Sequence, residues 1–250
     1  MVDCRSMRQP APPFRAVLFD MDGILIDSMP YHFFAWYEAL QKYGITANSQ
    51  LIYEHEGEKW EDTLGAFLPA NKRDRRLMLK IFRYRQRIFR KIFRRHLMPG
   101  VPGLAAELKK QNYALGLVSG TPVRDIRRLI PARLLKIFDC VIGGDSVARG
   151  KPAPDPYLSC AAGLRLKPAE CLVIENAPLG IAAAKSAGCR CLAVTTSLPE
   201  AYLRGADRIC ALKDLRAVLF KLLCYNRPNL PEGLWPESKR SGASATAKPE

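Results

Sequence analysis

The sequence predicts an α/β fold, a Rossmann-like parallel sheet core carrying an inserted all-helical domain, and three observations predict it. Short apolar runs of strand length alternate with helical patterns from Val101 onward. One further run, ending at Phe19, stands apart near the N-terminus. A helix-rich stretch, residues 29–98, lies between the two. Strands that alternate with helices of this length pack as a parallel sheet covered on both faces, so the early strand joins that sheet across the insertion.

Taken in order, residues 1–13 hold three prolines and no periodicity, and are expected to be a flexible leader. Residues 14–19 are apolar enough for a buried parallel strand, and Asp20-Met21-Asp22-Gly23 follows where that strand stops. Carboxyl ends of strands are where open α/β sheets place ligands, and Gly23 lets the chain turn away. Pro30 suits a first helical position, with Phe33, Trp36, Tyr37 and Leu40 at helical spacing and an end near Gly44. Residues 45–70 are mixed and polar, with breaks at Gly57 and Gly65 and a short helix over 61–67. Leu77, Ile81, Ile88 and Ile92 then form a stripe of period 3.6, so a long amphipathic helix follows, closed by Pro99 and Gly100.

Beyond it the pattern gives a helix over 104–110, a strand over 114–118 leading into Ser119-Gly120-Thr121-Pro122 and a further helix, and a strand over 140–142. Gly150-Lys151-Pro152 leads into a helix ending near Gly163. A strand over 171–174 ends in Glu175-Asn176, and a helix over 181–187 and a strand over 190–194 complete the alternation. The core is thus residues 14–28 and 99–225, the helical domain residues 29–98, and the Pro- and Ser-rich stretch 226–250 a disordered tail.

Composition excludes several classes. The chain has 250 residues, 48% of them hydrophobic, but no apolar run approaches the ~18 residues that span a bilayer. No apolar segment of signal-peptide length precedes Pro10, so a cytoplasmic location and no membrane span are expected. The eight cysteines include no Cys-x-x-Cys pair and read as reduced core thiols. Net charge is +15, and it is local: twelve Lys or Arg between Asn71 and His96 stand against one acid, Asp74. That arginine-rich face has three readings. It is a solvated outer face, a set of cations steering anionic substrates toward the site, or a contact for nucleic acid or an anionic membrane. The first is preferred, with no nucleic-acid partner and a monomeric chain.

Polar residues appear at four successive strand ends: Asp20 and Asp22, Ser119, Lys151, and Glu175-Asn176. A parallel sheet brings all four to one edge. Phe-Asp-Met-Asp-Gly-Ile-Leu-Ile-Asp-Ser, Val-Ser-Gly-Thr, Gly-Lys-Pro-Ala-Pro-Asp-Pro-Tyr and Val-Ile-Glu-Asn-Ala-Pro-Leu-Gly occur in this order. Over residues 14–215 the sequence resembles the haloacid dehalogenase superfamily, most of all its β-phosphoglucomutase-like phosphatases and mutases, whose helical cap follows the first motif. The resemblance implies Asp20 as nucleophile and metal ligand, and Asp22 as general acid/base with its carbonyl on the metal. It implies Glu175 and Asn176 as further ligands of Mg²⁺, Lys151 as charge compensation, and Ser119 as a phosphoryl donor. Much of the family has an acidic pair where this chain has Glu175-Asn176, so weaker metal binding is expected.

A carboxylate attacking a phosphate dianion meets like-charge repulsion, which is why such a site needs a cation. The resemblance also implies substrate contacts at Gly23, Gly120 and Thr121, and makes His32 the group that helps deliver the substrate hydroxyl to Asp22. Mutases hold the distal phosphate with a cap arginine in the loop that here runs from Glu56 to Thr63. Trp60 falls at that arginine's position, with Lys59 or Arg85 as possible substitutes. The function expected is a Mg²⁺-dependent phosphatase acting on a small phosphorylated metabolite such as a sugar phosphate. A β-phosphoglucomutase is the alternative with the same chemistry, and a polyanion-binding protein on a retained fold is the alternative of another class.

Overall fold

The computed structural model describes residues 14–46, 49–55 and 57–225; the leader and tail expected at residues 1–13 and 226–250 lie outside them. Six parallel strands run in the order β3-β2-β1-β4-β5-β6, with β1 Ala16–Asp20, β2 Ala114–Val118, β3 Cys140–Ile142, β4 Cys171–Glu175, β5 Arg190–Val194 and β6 Arg208–Cys210. β1 is central: Phe19 stands opposite Leu117 of β2 on one side and Ile174 of β4 on the other. The chain leaves β1 toward one edge and returns to its other side, so a crevice opens beyond its carboxyl end.

Alternation along β1 explains why it is apolar as far as Phe19. Val17 and Phe19 enter one core with Leu117, Leu172 and Leu192, under α5 (Val101–Lys110), α6 (Val123–Leu129) and α10 (Leu215–Tyr225). Ala16 and Leu18 enter the other with Val118, Val173 and Cys191, under α8 (Asp155–Gly163) and α9 (Pro178–Ser186). Space on that second face is close: a Cβ on Gly116 would stand 2.3 Å from Cys160 Sγ. α7 (Ala132–Leu135) is a single turn before β3.

Four helices follow β1 before the sheet resumes: α1 Met29–Lys42, α2 Ser49–Glu54, α3 Trp60–Phe67 and α4 Arg75–Ile92. They form the all-helical cap around a core of Trp36, Leu40, Ile52, Leu64, Phe67 and Ile81. Asp74 caps α4, accepting from Leu77 N at 2.9 Å. The sequence expects this helix to run to Pro99, but it ends at Ile92, where Phe93 turns extended. The reason is a long-range pairing: Asp27 N donates to His96 O at 2.8 Å and Met98 N to Leu25 O at 3.0 Å. The two strands of chain joining cap to core thus run bonded to each other. α2, α7, α10 and β6 are additions to the elements expected from the sequence. Among the described residues no helix is long and apolar enough to cross a membrane.

Candidate active site

Nine polar or charged residues are buried among the described residues. Eight of them, all but Thr63 of the cap, gather at the carboxyl edge of β1, β2 and β4. Burial of polar groups is costly unless they satisfy one another, so the gathering is a built site. Asp20 ends β1 and Glu175 ends β4, both buried. Lys151 Nζ lies between them, 2.6 Å from Asp20 Oδ1 and 2.6 Å from Glu175 Oε1. Tyr157 OH also donates to Glu175 Oε1, at 2.8 Å, and the backbone N–H groups of Asn176 and Ala177 donate to Oε2 at 2.8 and 3.1 Å. Glu175 is therefore fully engaged, while Asp20 Oδ2 accepts from no described residue.

Asp22 has a different environment. Ser28 Oγ donates to its Oδ1 at 2.5 Å, and His32 Nε2 lies 2.9 Å from the same oxygen. Ser119 Oγ is 3.4 Å from Oδ2 and itself accepts from Thr121 N at 3.1 Å. Arg85 reaches in from α4 to His32 Nδ1, with its guanidinium over the rings of Trp36 and Phe89. His32 is stacked on Phe89 at 4.5 Å. A guanidinium only donates, so Arg85 at Nδ1 leaves the His32 proton on Nε2, facing Asp22.

The two aspartates are driven in opposite directions. Burial pushes the Asp20 carboxyl well above the usual carboxylate range; the Lys151 charge opposes this, and Glu175 and Asp22 add to it. Burial also raises Asp22, but there His32 and Ser28, both donating to its carboxylate, and the Arg85 charge prevail and hold it below its ordinary value. Lys151, which burial alone would neutralise, is kept charged by Asp20 and Glu175. Paired titratable groups pushed apart in this way are a signature of acid/base sites.

Whether these residues fit a metal can be judged from Asn176. Its Oδ1 is buried and has no hydrogen-bond partner, while Nδ2 donates to Ser197 Oγ at 2.8 Å. A buried carbonyl oxygen without a donor is costly unless a cation takes it. Asn176 follows Glu175 in the chain, and Gly23 lies against its side chain: a Cβ there would stand 2.2 Å from Asn176 Nδ2. Among the described residues no three His, Cys, Asp or Glu side chains gather as a metal cluster. With Glu175 already engaged, the donors on offer are oxygens, Asp20 charged and Asn176 Oδ1 neutral, a set that suits a hard divalent cation.

A cavity of about 450 Å³ extends from Asp22 between cap and core. Of the expected substrate contacts, His32, Gly57, Lys59, Trp60, Arg85, Gly120 and Thr121 all line it; Gly23 does not, standing instead beside Asn176 and Ser197. Trp60 lies flat on Phe82, ring centroids 4.6 Å apart. Lys59 has another engagement. Its ammonium donates to the carbonyls of Val147 and Ala148 at 2.7 and 2.8 Å, clasping the cap to the core. Gly57 and Gly120 bring the two domains together, since a Cβ on Gly120 would stand 2.5 Å from the Gly57 carbonyl oxygen. Sequence reasoning did not single out Ser28, Tyr157 or the His55–Glu58 pair, bonded at 2.9 Å in the cavity wall. Ser28 and Tyr157 fall inside the first and third motifs, and their positions there are the signal that could have found them.

Comparison with known proteins agrees with this geometry. Residues 14–188 match the family model for haloacid dehalogenase-like hydrolases. The β-phosphoglucomutase of Bacillus subtilis is 32% identical over 205 residues, covering 78% of this chain and 88% of that protein. A phosphorylated carbohydrates phosphatase of Thermotoga maritima is 32% identical over 177 residues, covering 69% and 81%. Among solved structures, a candidate β-phosphoglucomutase of Bacteroides vulgatus superposes with a TM-score of 0.78 at 28% identity, covering 88% of this chain and 92% of that one.

Proposed function

The chain belongs to the haloacid dehalogenase-like hydrolases, and from that premise we propose that it is a Mg²⁺-dependent phosphatase that hydrolyses a small phosphorylated carbohydrate through a phosphoaspartate on Asp20. The observation that carries this reading is the contrast between two buried aspartates one residue apart, one held by Lys151 and the other by His32 and Ser28. One is placed to attack and the other to move protons.

Asp20 Oδ1 is fixed by Lys151, leaving Oδ2 to form the bond to phosphorus as the ester P–O bond breaks. Asp22 gives its proton to the departing oxygen; the approach of a phosphate dianion raises its pKa and favours the protonated form needed. In the second half Asp22 takes a proton from water, whose oxygen attacks phosphorus and frees Asp20 and inorganic phosphate. Each proton transfer is worth roughly 10²–10⁴-fold. Ser119 Oγ and the backbone of the Gly120-Thr121 turn would hold phosphoryl oxygens. Asp20, the carbonyl of Asp22 and Asn176 Oδ1 would hold Mg²⁺, with Glu175 behind them fixing Lys151; the ion's contribution when bound is to neutralise the charge shared by carboxylate and phosphate.

The similarity to a β-phosphoglucomutase favours a second reading, in which the phosphoaspartate phosphorylates a sugar instead of water. A mutase must hold its bisphosphate at both ends while it reorients. Against this, the cap loop presents Trp60 stacked on Phe82, and the neighbouring Lys59 ammonium is engaged by two carbonyls. The test is to compare wild type with Asp20→Asn on glucose 6-phosphate, fructose 1-phosphate and β-glucose 1-phosphate in Mg²⁺. Asp20-dependent phosphate release is expected. Isomerisation of β-glucose 1-phosphate without phosphate release would replace this reading with the mutase.

A further inference from the structure

Two cysteines face each other where β3 meets α8, away from the catalytic edge. Cys140 opens β3 and stands opposite Gly116 of β2. Gly116 has no side chain, and Cys160 Sγ, reaching down from α8, fills the space that a Cβ there would take. From the other side, a Cβ on Gly163, one turn after Cys160 on α8, would stand 2.8 Å from Cys140 Sγ. The two glycines let strand and helix approach until both sulfurs share one gap, and Cys160 donates its S–H to Cys140.

Their surroundings differ. Cys140 is half-buried, whereas Cys160 is enclosed. The hydrogen bond from Cys160 brings the Cys140 thiol below its usual range, against burial and the Asp139 charge; the same bond, and then burial, push Cys160 well above it. The thiolate is the form that reacts, so Cys140 is the nucleophile within reach of solvent and Cys160 the partner behind it. Cys171, Cys189 and Cys191 lie in the same core, but burial raises each of them.

We propose that Cys140 and Cys160 are a redox site: hydrogen peroxide oxidises Cys140, and Cys160 closes a disulfide that ties β3 to α8. In the first step the Cys140 thiolate attacks one peroxide oxygen and the O–O bond breaks. Cys140 becomes a sulfenic acid, and the departing oxygen takes a proton and leaves as water. In the second step Cys160 gives up its proton, its sulfur attacks that of Cys140, and the sulfenic oxygen leaves as a second water. The two thiols together lose two electrons and two protons, and the peroxide is reduced to two waters. A sulfenic acid with a thiol against it condenses before further oxidation, and exchange with an external dithiol reopens the bridge.

The bridge bears on the catalytic edge through α8. Tyr157 stands one turn before Cys160 and donates to Glu175 Oε1, which holds Lys151 beside Asp20. On the other side β3 runs into Gly144 and Asp145, which line the cavity. A bond between sulfurs that now only touch draws helix and strand together and pulls Tyr157 off Glu175. Oxidation therefore lowers turnover. This effect on turnover rests on the phosphatase reading; the disulfide itself does not.

The experiment exposes the full chain to hydrogen peroxide and maps its thiols by mass spectrometry of non-reduced digests, with dimedone to trap sulfenic acid. In wild type a linked Cys140–Cys160 peptide is expected, with Cys140 consumed at least about tenfold faster than Cys171 and Cys189. In Cys160→Ser no bridge can close, so dimedone should mark Cys140 instead. In Cys140→Ser, Cys160 should stay reduced, and this arm stands by itself if the buried Cys160→Ser does not fold. Absence of the linked peptide from wild type, or a Cys160 that oxidises equally well without Cys140, overturns the proposal. Phosphate release from fructose 1-phosphate in Mg²⁺ is followed on the same samples. Oxidised wild type should lose at least about tenfold and recover in dithiothreitol, while Cys140→Ser keeps its rate under peroxide. A bridge that forms without changing the rate overturns its link to the site. If the reduced protein hydrolyses neither fructose 1-phosphate nor p-nitrophenyl phosphate, it is the phosphatase reading that fails, and the linked peptide alone decides the redox site.

Discussion

Replacing Asn176 by aspartate tests the metal cradle without relying on turnover. The amide oxygen Oδ1 is buried and unpartnered, and Asn176 is 1% exposed beside Glu175, which is equally buried. Asn176→Asp exchanges Nδ2 for a second oxygen; Ser197 can turn its hydroxyl to donate, so the 2.8 Å contact survives with its direction reversed. What changes is charge. A new carboxylate beside Glu175 and Asp20 adds repulsion that Lys151 alone cannot balance. At an effective dielectric of ~20 such neighbours cost on the order of 3 kcal/mol. Without a cation, the variant should melt lower by roughly 6–12 °C, taking 2–4 °C per kcal/mol for a domain of this size. With Mg²⁺ the same charge becomes attractive, and the affinity should tighten about ten- to a hundredfold. Thermal denaturation in EDTA, followed by Mg²⁺ titration of the melting temperature, reads both effects. An unchanged melting temperature in EDTA together with an unchanged Mg²⁺ midpoint would refute a place for Asn176 Oδ1 in the cradle.

Two further outcomes follow from close contacts and from a displaced thiol pKa. A methyl group on Gly180 would stand 1.7 Å from Glu175 Oε1, so Gly180→Ala must push that carboxylate off Lys151 and Tyr157. Phosphate release should fall by about 10²-fold or more with the circular dichroism spectrum retained, and near-normal rates would show that Glu175 does not need its position. At Cys140 the hydrogen bond from Cys160 prevails over burial and the Asp139 charge, bringing the thiol down to about 7. Its alkylation by iodoacetamide, mapped by mass spectrometry, should therefore rise through pH 7 and level off above it. Cys171 and Cys189, which burial pushes up to about 12, should stay unmodified at pH 8; a Cys140 that reacts no faster than they do would contradict this.

How much of this was legible in sequence depended on whether the signal was local. The central strands were readable because a strand buried on both faces must be apolar along its length, as β1 and β4 are up to the carboxylate that ends each. β6 escaped because its three residues are half-buried at the sheet edge and carry no such run. The end of α4 was misplaced for a different reason. The chain beyond Ile92 keeps an apolar residue at helical spacing, but it is paired with residues 25–27, a contact no periodicity reports. The catalytic edge was legible because each motif sits at its own strand end. Lys59 was not: a lysine beside Trp60 looks like a phosphate ligand until its partners, 88 and 89 residues farther on, are known. Arg90 and Arg128 line the cavity from cap and core in the same non-local way, so the arginine-rich segment could be seen but its inner end could not be assigned.

The division of partners between the two aspartates has a consequence for how water is managed. Every group that holds Asp20 belongs to the core: Lys151 bonds it directly, and Glu175 fixes Lys151. Asp22 is held partly by the cap, through His32 on α1 and, behind it, Arg85 on α4. Lifting the cap away would leave the nucleophile and its charge balance intact while stripping the acid/base of the contacts that keep it ionised and aimed. Asp22 would then lose both the burial that raises it and the His32 contact that lowers it. In the proposed mechanism the nucleophile is thus a permanent feature of the sheet, whereas the proton-transfer group keeps only Ser28 and Ser119 once the cap lifts. A phosphorylated Asp20 exposed to solvent would lack the base that activates water, and hydrolysis would await closure. The cap–core clasp of Lys59 on the Val147 and Ala148 carbonyls therefore also serves to complete the proposed proton-transfer group.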